Sequence, residues 1–157
     1  MMNLPDFPSS PALQFVTFHE AHLMSLNITN KYSQTISKVL PITEMIKAQA
    51  KHGNAFTAIL HGTPVACFGS VRIWNGVEEM WLLMEERGRN IAVSLTKAAI
   101  AYRDFRVISG NLHRLQITVR CEDMRAVRWA RAIGFNIDGM MMRYGPDGSD
   151  YYLMSRT

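Results

Sequence analysis

Two adjacent carboxylates, Glu78 and Glu79, lie in a strand-like run and are the side chains best placed for acid–base chemistry. Successive strand residues point to opposite faces, so only one of the pair can look into a cleft beside that strand. A carboxylate there could deprotonate a nucleophile; a solvated strand edge would carry the same two residues. A second pair, Glu85 and Glu86, stands at the far end of the run. Directly after it comes Arg87-Gly88-Arg89-Asn90-Ile91-Ala92, a basic turn that opens onto a helix. Free N–H groups and the dipole at a helix N-terminus attract anions, so this turn is a candidate phosphate cradle. A solvated turn that merely starts a helix is the plainer reading.

Other chemistries find less support. His19 and His22 sit three apart with no third ligand near them in sequence, so no metal site is expected. No nucleophile elbow, Walker loop or HExxH motif occurs. Cys67 and Cys121 form no CxxC or Cys/His cluster and are expected as reduced core thiols of a cytoplasmic-type protein. Arg125, Arg128 and Arg131 recur every three residues on one outward helical arc, with Arg103, Arg106 and Arg120 not far away in sequence. Such a face could meet nucleic acid or an acidic partner, yet a net charge of +4 is too small to imply DNA binding alone. No run reads as a signal peptide, and none approaches about 18 apolar residues, so membrane insertion is not expected.

The elements that must hold these residues follow from periodicity. At 157 residues, 48% apolar and 19% charged, the chain suits one globular domain over 12–157, preceded by a Pro-rich arm over 1–11. Prolines at 5, 8 and 11 exclude a helix there; an ordered arm would need a surface for Leu4 and Phe7, its own or a partner's. Leu13–Phe18 reads as a strand, His19–Asn27 as a helix, and Pro41–Lys51 as a second helix closed by Gly53. Period-two runs at Phe56–Leu60, Val65–Trp74 and Val77–Met84 follow, the last two joined by an Asn75-Gly76 turn expected to need positive φ at both residues. A helix over about 90–103 precedes a strand in which Leu115, Ile117 and Val119 face inward. Asp123 then caps a helix with Ala126, Val127, Ala130 and Ile133 inward, stopped by Gly134-Phe135. Runs at Gly139–Tyr144 and Tyr151–Arg156 make a closing hairpin.

This order, β-α-α-β-β-β-α-β-α-β-β, resembles the GNAT acetyltransferase fold, an α/β class with a central twisted mixed sheet flanked by helices. Two signatures carry the resemblance. The coenzyme loop pattern Arg/Gln-x-x-Gly-x-Gly/Ala is matched by Arg87 and Ala92, with Asn90 in place of a glycine. Asn tolerates positive φ better than other non-glycine residues, so the loop could keep its shape. The pattern Asn-x-x-Ala-x-x-x-Tyr-x-x-x-Gly-Phe is matched by Asp123, Ala126 and Gly134-Phe135, with Ala130 where the Tyr belongs. The resemblance implies acetyl-coenzyme A as cofactor, bound through Leu82, Leu83 and Arg87 to Ala92, and Glu79 or Glu78 as general base. It also implies a missing proton donor, because the family's Tyr commonly protonates the departing thiolate and Ala130 cannot. Trp129 next to it has no useful acid and reads as core or groove wall.

Within that set the chain is similar to GNAT-like proteins of tailed phages, internal virion protein A of short-tailed phages among them. The residues behind this likeness are Leu115–Arg120, Ala126–Ala130, Gly134-Phe135, Tyr144-Gly145-Pro146-Asp147-Gly148 and Asp150-Tyr151. It implies a degenerate acetyltransferase-like virion or assembly component that binds other phage virion or head-assembly proteins, made in the host cytoplasm and destined for the virion. The alternative is an active acetyl-coenzyme A-dependent N-acetyltransferase with an atypical site.

Overall fold

A computed structural model of the chain describes residues 5–28, 44, 46–48, 50 and 54–157. Its elements are β1 (Leu13–Thr17), α1 (Glu20–Ser25), β2 (Ala55–Leu60), β3 (Thr63–Trp74), β4 (Val77–Met84), α2 (Ala92–Ser109), β5 (Arg114–Arg120), α3 (Met124–Ala132), β6 (Asn136–Met141) and β7 (Tyr151–Arg156). A 3-10 segment, Glu86–Ile91, joins β4 to α2. Most of the expected helix from Pro41 to Lys51 lies outside the described residues; Glu44, Ile46, Lys47, Ala48 and Ala50 are helical.

The seven strands form one mixed sheet in the order β1-β2-β3-β4-β5-β7-β6. Every neighbouring pair is antiparallel except β4 and β5, which run parallel. A parallel pair needs a crossover, and α2 supplies it. The sheet is buried on both faces. On the α2 and α3 face, Leu115, Val119, Val127, Ala130, Ile133, Phe135 and Met154 pack as one cluster. On the opposite face Phe18, Ile46, Ala55, Cys67 and Leu83 pack together beneath α1, with Leu23, Leu26 and Trp81 against them.

Of the arm, residues 1–4 with Leu4 lie outside the described residues, and Phe7 lies on the chain's own sheet. Phe7 stacks on Phe15 with ring centroids 4.8 Å apart and meets Phe56 and Phe68 edge-on at 5.0 and 5.7 Å. Three aromatic neighbours from three strands give a half-buried ring reason to stay in place.

Local chemistry explains where the elements depart from their expected bounds. The His61-Gly62 turn takes positive φ at both residues, 49° and 79°, so β3 begins at Thr63 and includes Pro64. At Asn75-Gly76 only Gly76 has positive φ (81°), and the register slips between Arg72 and Trp74. A bulge absorbs the twist there, and the expected positive φ at Asn75 is not needed. Helix α2 runs on to Ser109, beyond the expected Arg103, because Arg106 is buried on its inner face by an ion pair that apolar periodicity does not register. Strand β6 starts at Asn136, three residues before the expected Gly139, and Gly139 sits at a register slip inside it. Cys67 is a buried free thiol; Cys121 is half-buried, just beyond β5, and not a core residue.

Candidate functional site

β4 and β5 are paired at only three positions, Val77 with Arg114, Glu78 with Leu115 and Glu79 with Gln116. Beyond Glu79, the rest of β4 is bonded to β3 only, and beyond Gln116 the rest of β5 is bonded to β7 only. The two strands therefore diverge into a V whose facing edges, Met80–Met84 and Ile117–Arg120, carry no ladder bonds to each other. Unpaired strand edges present N–H and C=O groups to whatever enters between them.

The closed end of the V is fixed by Gly76. Its carbonyl accepts from the backbone N–H groups of His113 (3.0 Å) and Arg114 (3.1 Å), which starts β5 in register with β4. A Cβ at Gly76 would lie 2.3 Å from His113 Nδ1, so both the φ of +81° and the close approach require glycine.

Glu78 and Glu79 fall on opposite faces of β4. Glu78 is 2% exposed and faces α2, where Arg106 donates to both its oxygens (2.9 and 2.5 Å) and Ser70 Oγ donates at 2.6 Å. Burial pushes its pKa up, but the hydrogen bonds from Arg106 and Ser70 and the guanidinium charge outweigh it and hold the carboxyl below its ordinary value. Tyr102 extends this network by donating to Asn54 O and lying 2.9 Å from Ser70 Oγ. With its oxygens so engaged, Glu78 serves as a buried anchor between β4 and α2.

Glu79 looks to the other face, at the point where pairing ends. Gln116 Nε2 donates to Glu79 Oε1 at 3.0 Å. Arg114 Nε donates to Gln116 Oε1 at 2.8 Å, which fixes the amide so that its NH₂ points at Glu79. Arg114 also bonds Asp138 Oδ2 at 2.7 Å, and Ser155 Oγ donates to the same oxygen. Burial drives the Glu79 pKa above the usual carboxylate range, and the Gln116 hydrogen bond offsets only part of that. A half-buried carboxylate with a raised pKa is a competent proton acceptor near neutrality.

Tyr144, in the segment between β6 and β7, stands on the same face and carried no functional assignment from sequence. Its ring packs on Tyr151 with centroids 5.4 Å apart, its hydroxyl lies near Thr118, and it is 52% exposed. Partial burial, together with the nearby Glu79 charge, raises its pKa. The only sequence signal was an aromatic before a Gly-Pro-Asp-Gly turn.

The segment at the open end of the V differs from its expected form. Asn90 has no positive φ, because Glu86–Ile91 winds as a 3-10 turn directly into α2. The glycine that matters for packing is Gly88, buried so tightly on β4 that a Cβ would meet Met84 Cγ at 2.3 Å. Arg87, Arg89 and Asn90 are exposed, while Ile91 is half-buried and Ala92 exposed at the start of α2. Arg87 pairs with buried Glu85, whose other oxygen accepts from Asn27 N at 3.1 Å; Arg89 pairs with Glu86 at 2.7 Å. No side chain caps α2 at Ile91, and the Ala92 N–H donates to Arg89 O as the 3-10 turn runs into the helix. Leu82 packs toward α2 and Leu83 is buried beneath α1, so only their backbone reaches the V.

Ala130 is fully buried in the core, and Trp129 is tied by its Nε1–H to Thr96 Oγ1 at 2.9 Å, bridging α3 to α2. His19 caps α1, His22 bonds back to the His19 N–H and lies 2.8 Å from Thr57 Oγ1, and no three ligating side chains among the described residues could hold a metal. Arg125, Arg128 and Arg131 are exposed along α3. No described helix is long and apolar enough to cross a membrane.

A basic turn ahead of α2 and two strand edges without ladder bonds to each other suit an extended ligand with a phosphate at one end, and coenzyme A has that chemistry. Several solved structures share this fold. Ard1 from Thermoplasma volcanium aligns over 92% of this chain and 97% of its own with a TM-score of 0.71 and 18% identity. A GNAT-family acetyltransferase from Bacillus anthracis aligns over 94% and 96% with a TM-score of 0.68 and 15% identity. Mycobacterium smegmatis RimJ, solved in complex with CoA-disulfide, aligns over 92% and 81% with a TM-score of 0.66 and 19% identity. No protein-family model matches the sequence, and no curated protein matches it either. The fold is that of the GNAT acetyltransferases.

Proposed function

We propose that the chain is an acetyl-coenzyme A-dependent N-acetyltransferase, with the coenzyme in the gap between β4 and β5 and the acceptor amine on the Glu79 face. The observation that carries this reading is the three-residue pairing of β4 with β5, which leaves the facing edges Met80–Met84 and Ile117–Arg120 without ladder bonds to each other. Acetyl-coenzyme A supplies an activated thioester. The basic turn before α2 holds phosphate through the exposed Arg87 and Arg89 side chains, and Glu79 takes the proton that the acceptor amine must lose. Structural neighbours that include an α-N-protein acetyltransferase in complex with coenzyme A support both the site and an amine acceptor.

The test is release of free thiol from acetyl-coenzyme A in the presence of a panel of small amines and peptide α-amines, with the acetylated product read by mass. Turnover above the solvent rate that Glu79→Gln abolishes supports the reading. Wild-type turnover that Glu79→Gln leaves unchanged overturns Glu79 as base.

The second reading, a virion or head-assembly component of the phage GNAT-like type, is favoured by one observation. Ala130 is buried where the family donor belongs, so the helix offers no acid. Its partners would be other phage proteins, met through exposed Met140 and Met142. A chain of that kind binds no coenzyme A, which separates the two readings.

A further inference from the structure

Loss of the helix donor leaves a question that the opposite face answers. Strand register places Thr118 across from Leu153 and Arg120 across from Tyr151, with Thr118, Arg120 and Tyr151 on the Glu79 side of the sheet. Tyr144 lies on Tyr151 and reaches Thr118, two residues beyond the last β4–β5 pair, at the lip of the V. The segment that presents it is tied down throughout. Arg120 NH1 bonds Asp147 Oδ2 at 2.7 Å, Arg143 N donates to Asp150 Oδ1 at 2.8 Å, and Gly145 N donates to Ser149 O at 2.9 Å. Gly145 is buried, and a Cβ on it would sit 2.7 Å from Tyr151 Cε1, so the chain is pressed onto that ring. Arg143 accepts a φ of 55° in the same segment. That much local order holds an aromatic that is 52% exposed and contributes little to the core. Strained, well-tied segments presenting an exposed polar aromatic at a cleft fit function better than packing.

We propose that Tyr144 is the proton donor to the departing thiolate, supplied from the β6–β7 segment in place of the residue that Ala130 replaces. The inference rests on the coenzyme and acceptor placement above. As the new C–N bond forms, the C–S bond breaks and its electron pair goes to sulfur. The Tyr144 hydroxyl gives that sulfur its proton, and the phenolate regains one from water. Glu79 holds the proton lost by the amine. Thr118 lies beside the hydroxyl, and Glu79 is the charged group that acts on it.

Two measurements on Tyr144→Phe test this, in the full chain. The first follows the ultraviolet thiolate absorbance of bound coenzyme A against pH. Removing a hydroxyl that donates to sulfur should raise the pH of thiolate formation by about one unit. The second is thiol release, where kcat should fall about 10²-fold while KM holds within about twofold. An unchanged thiol titration, or a rise in KM with kcat intact, overturns the donor role and makes Tyr144 a wall for the acceptor. Wild-type protein that binds coenzyme A without turning over also overturns it, leaving the coenzyme site standing. Failure of wild type to bind coenzyme A overturns the site itself.

Discussion

Glu79 and Gln116 are hydrogen-bonded at 3.0 Å across the last position at which β4 and β5 stay paired. The contact marks where the sheet opens and puts a desolvated carboxylate at that point. Arg114 and Asp138 hold Gln116 from behind, so the geometry does not depend on a ligand.

Glu79→Gln separates catalysis from stability. Its folded pKa lies above the ordinary carboxylate value, so the native state binds protons more readily than the unfolded one. The cost to stability is therefore absent below the unfolded pKa and grows as pH rises through the window up to the folded one. The variant should lose at least about 10²-fold in kcat while its Tm at neutral pH stays level or rises. In the wild type, kcat should fall as pH drops through the raised pKa. Thermal melts and a pH–rate profile check both.

Arg106→Leu should act in the opposite way. It leaves Glu78 charged and unpaired in the interior, and breaking a buried pair of this kind costs about 3–5 kcal/mol. Glu78 has a lowered folded pKa, so the stability it contributes is present above its unfolded pKa and is lost as pH falls through the folded value. Urea unfolding of wild type at several pH values should show that loss on the acid side.

Gly88→Ala puts a methyl 2.3 Å from Met84 Cγ, the side chain that would have to swing aside. Overpacking of this size costs about 1–3 kcal/mol, and the 3-10 turn should lift off β4. Coenzyme A affinity should weaken more than the fold does, read by titration beside denaturant unfolding.

Phe7→Ala tests the arm. Removing a half-buried ring that meets Phe15, Phe56 and Phe68 should cost about 1–3 kcal/mol without changing coenzyme affinity.

Much of this was legible in the chain. Period-two runs at 56–60, 65–74 and 77–84 and the Asp123-to-Phe135 helix follow from local patterning, and those elements formed. The site was less so. Alternation alone says that Glu78 and Glu79 diverge, but which one faces the V depends on Arg106, 28 residues downstream of Glu78. Tyr144 looked like turn chemistry because its partners, Thr118 and Tyr151, are set by sheet order and not by spacing. Asn90 was read through a glycine pattern, whereas the backbone there winds as a 3-10 turn with no need of positive φ.

The central claim is that the V between β4 and β5 holds coenzyme A, and calorimetric titration of coenzyme A into the wild type and Arg89→Glu tests it most directly. One-to-one binding in the micromolar range, weakened about tenfold or more in Arg89→Glu, is the expected result. No binding at millimolar coenzyme A, or binding that Arg89→Glu leaves unchanged, would contradict the placement of the site.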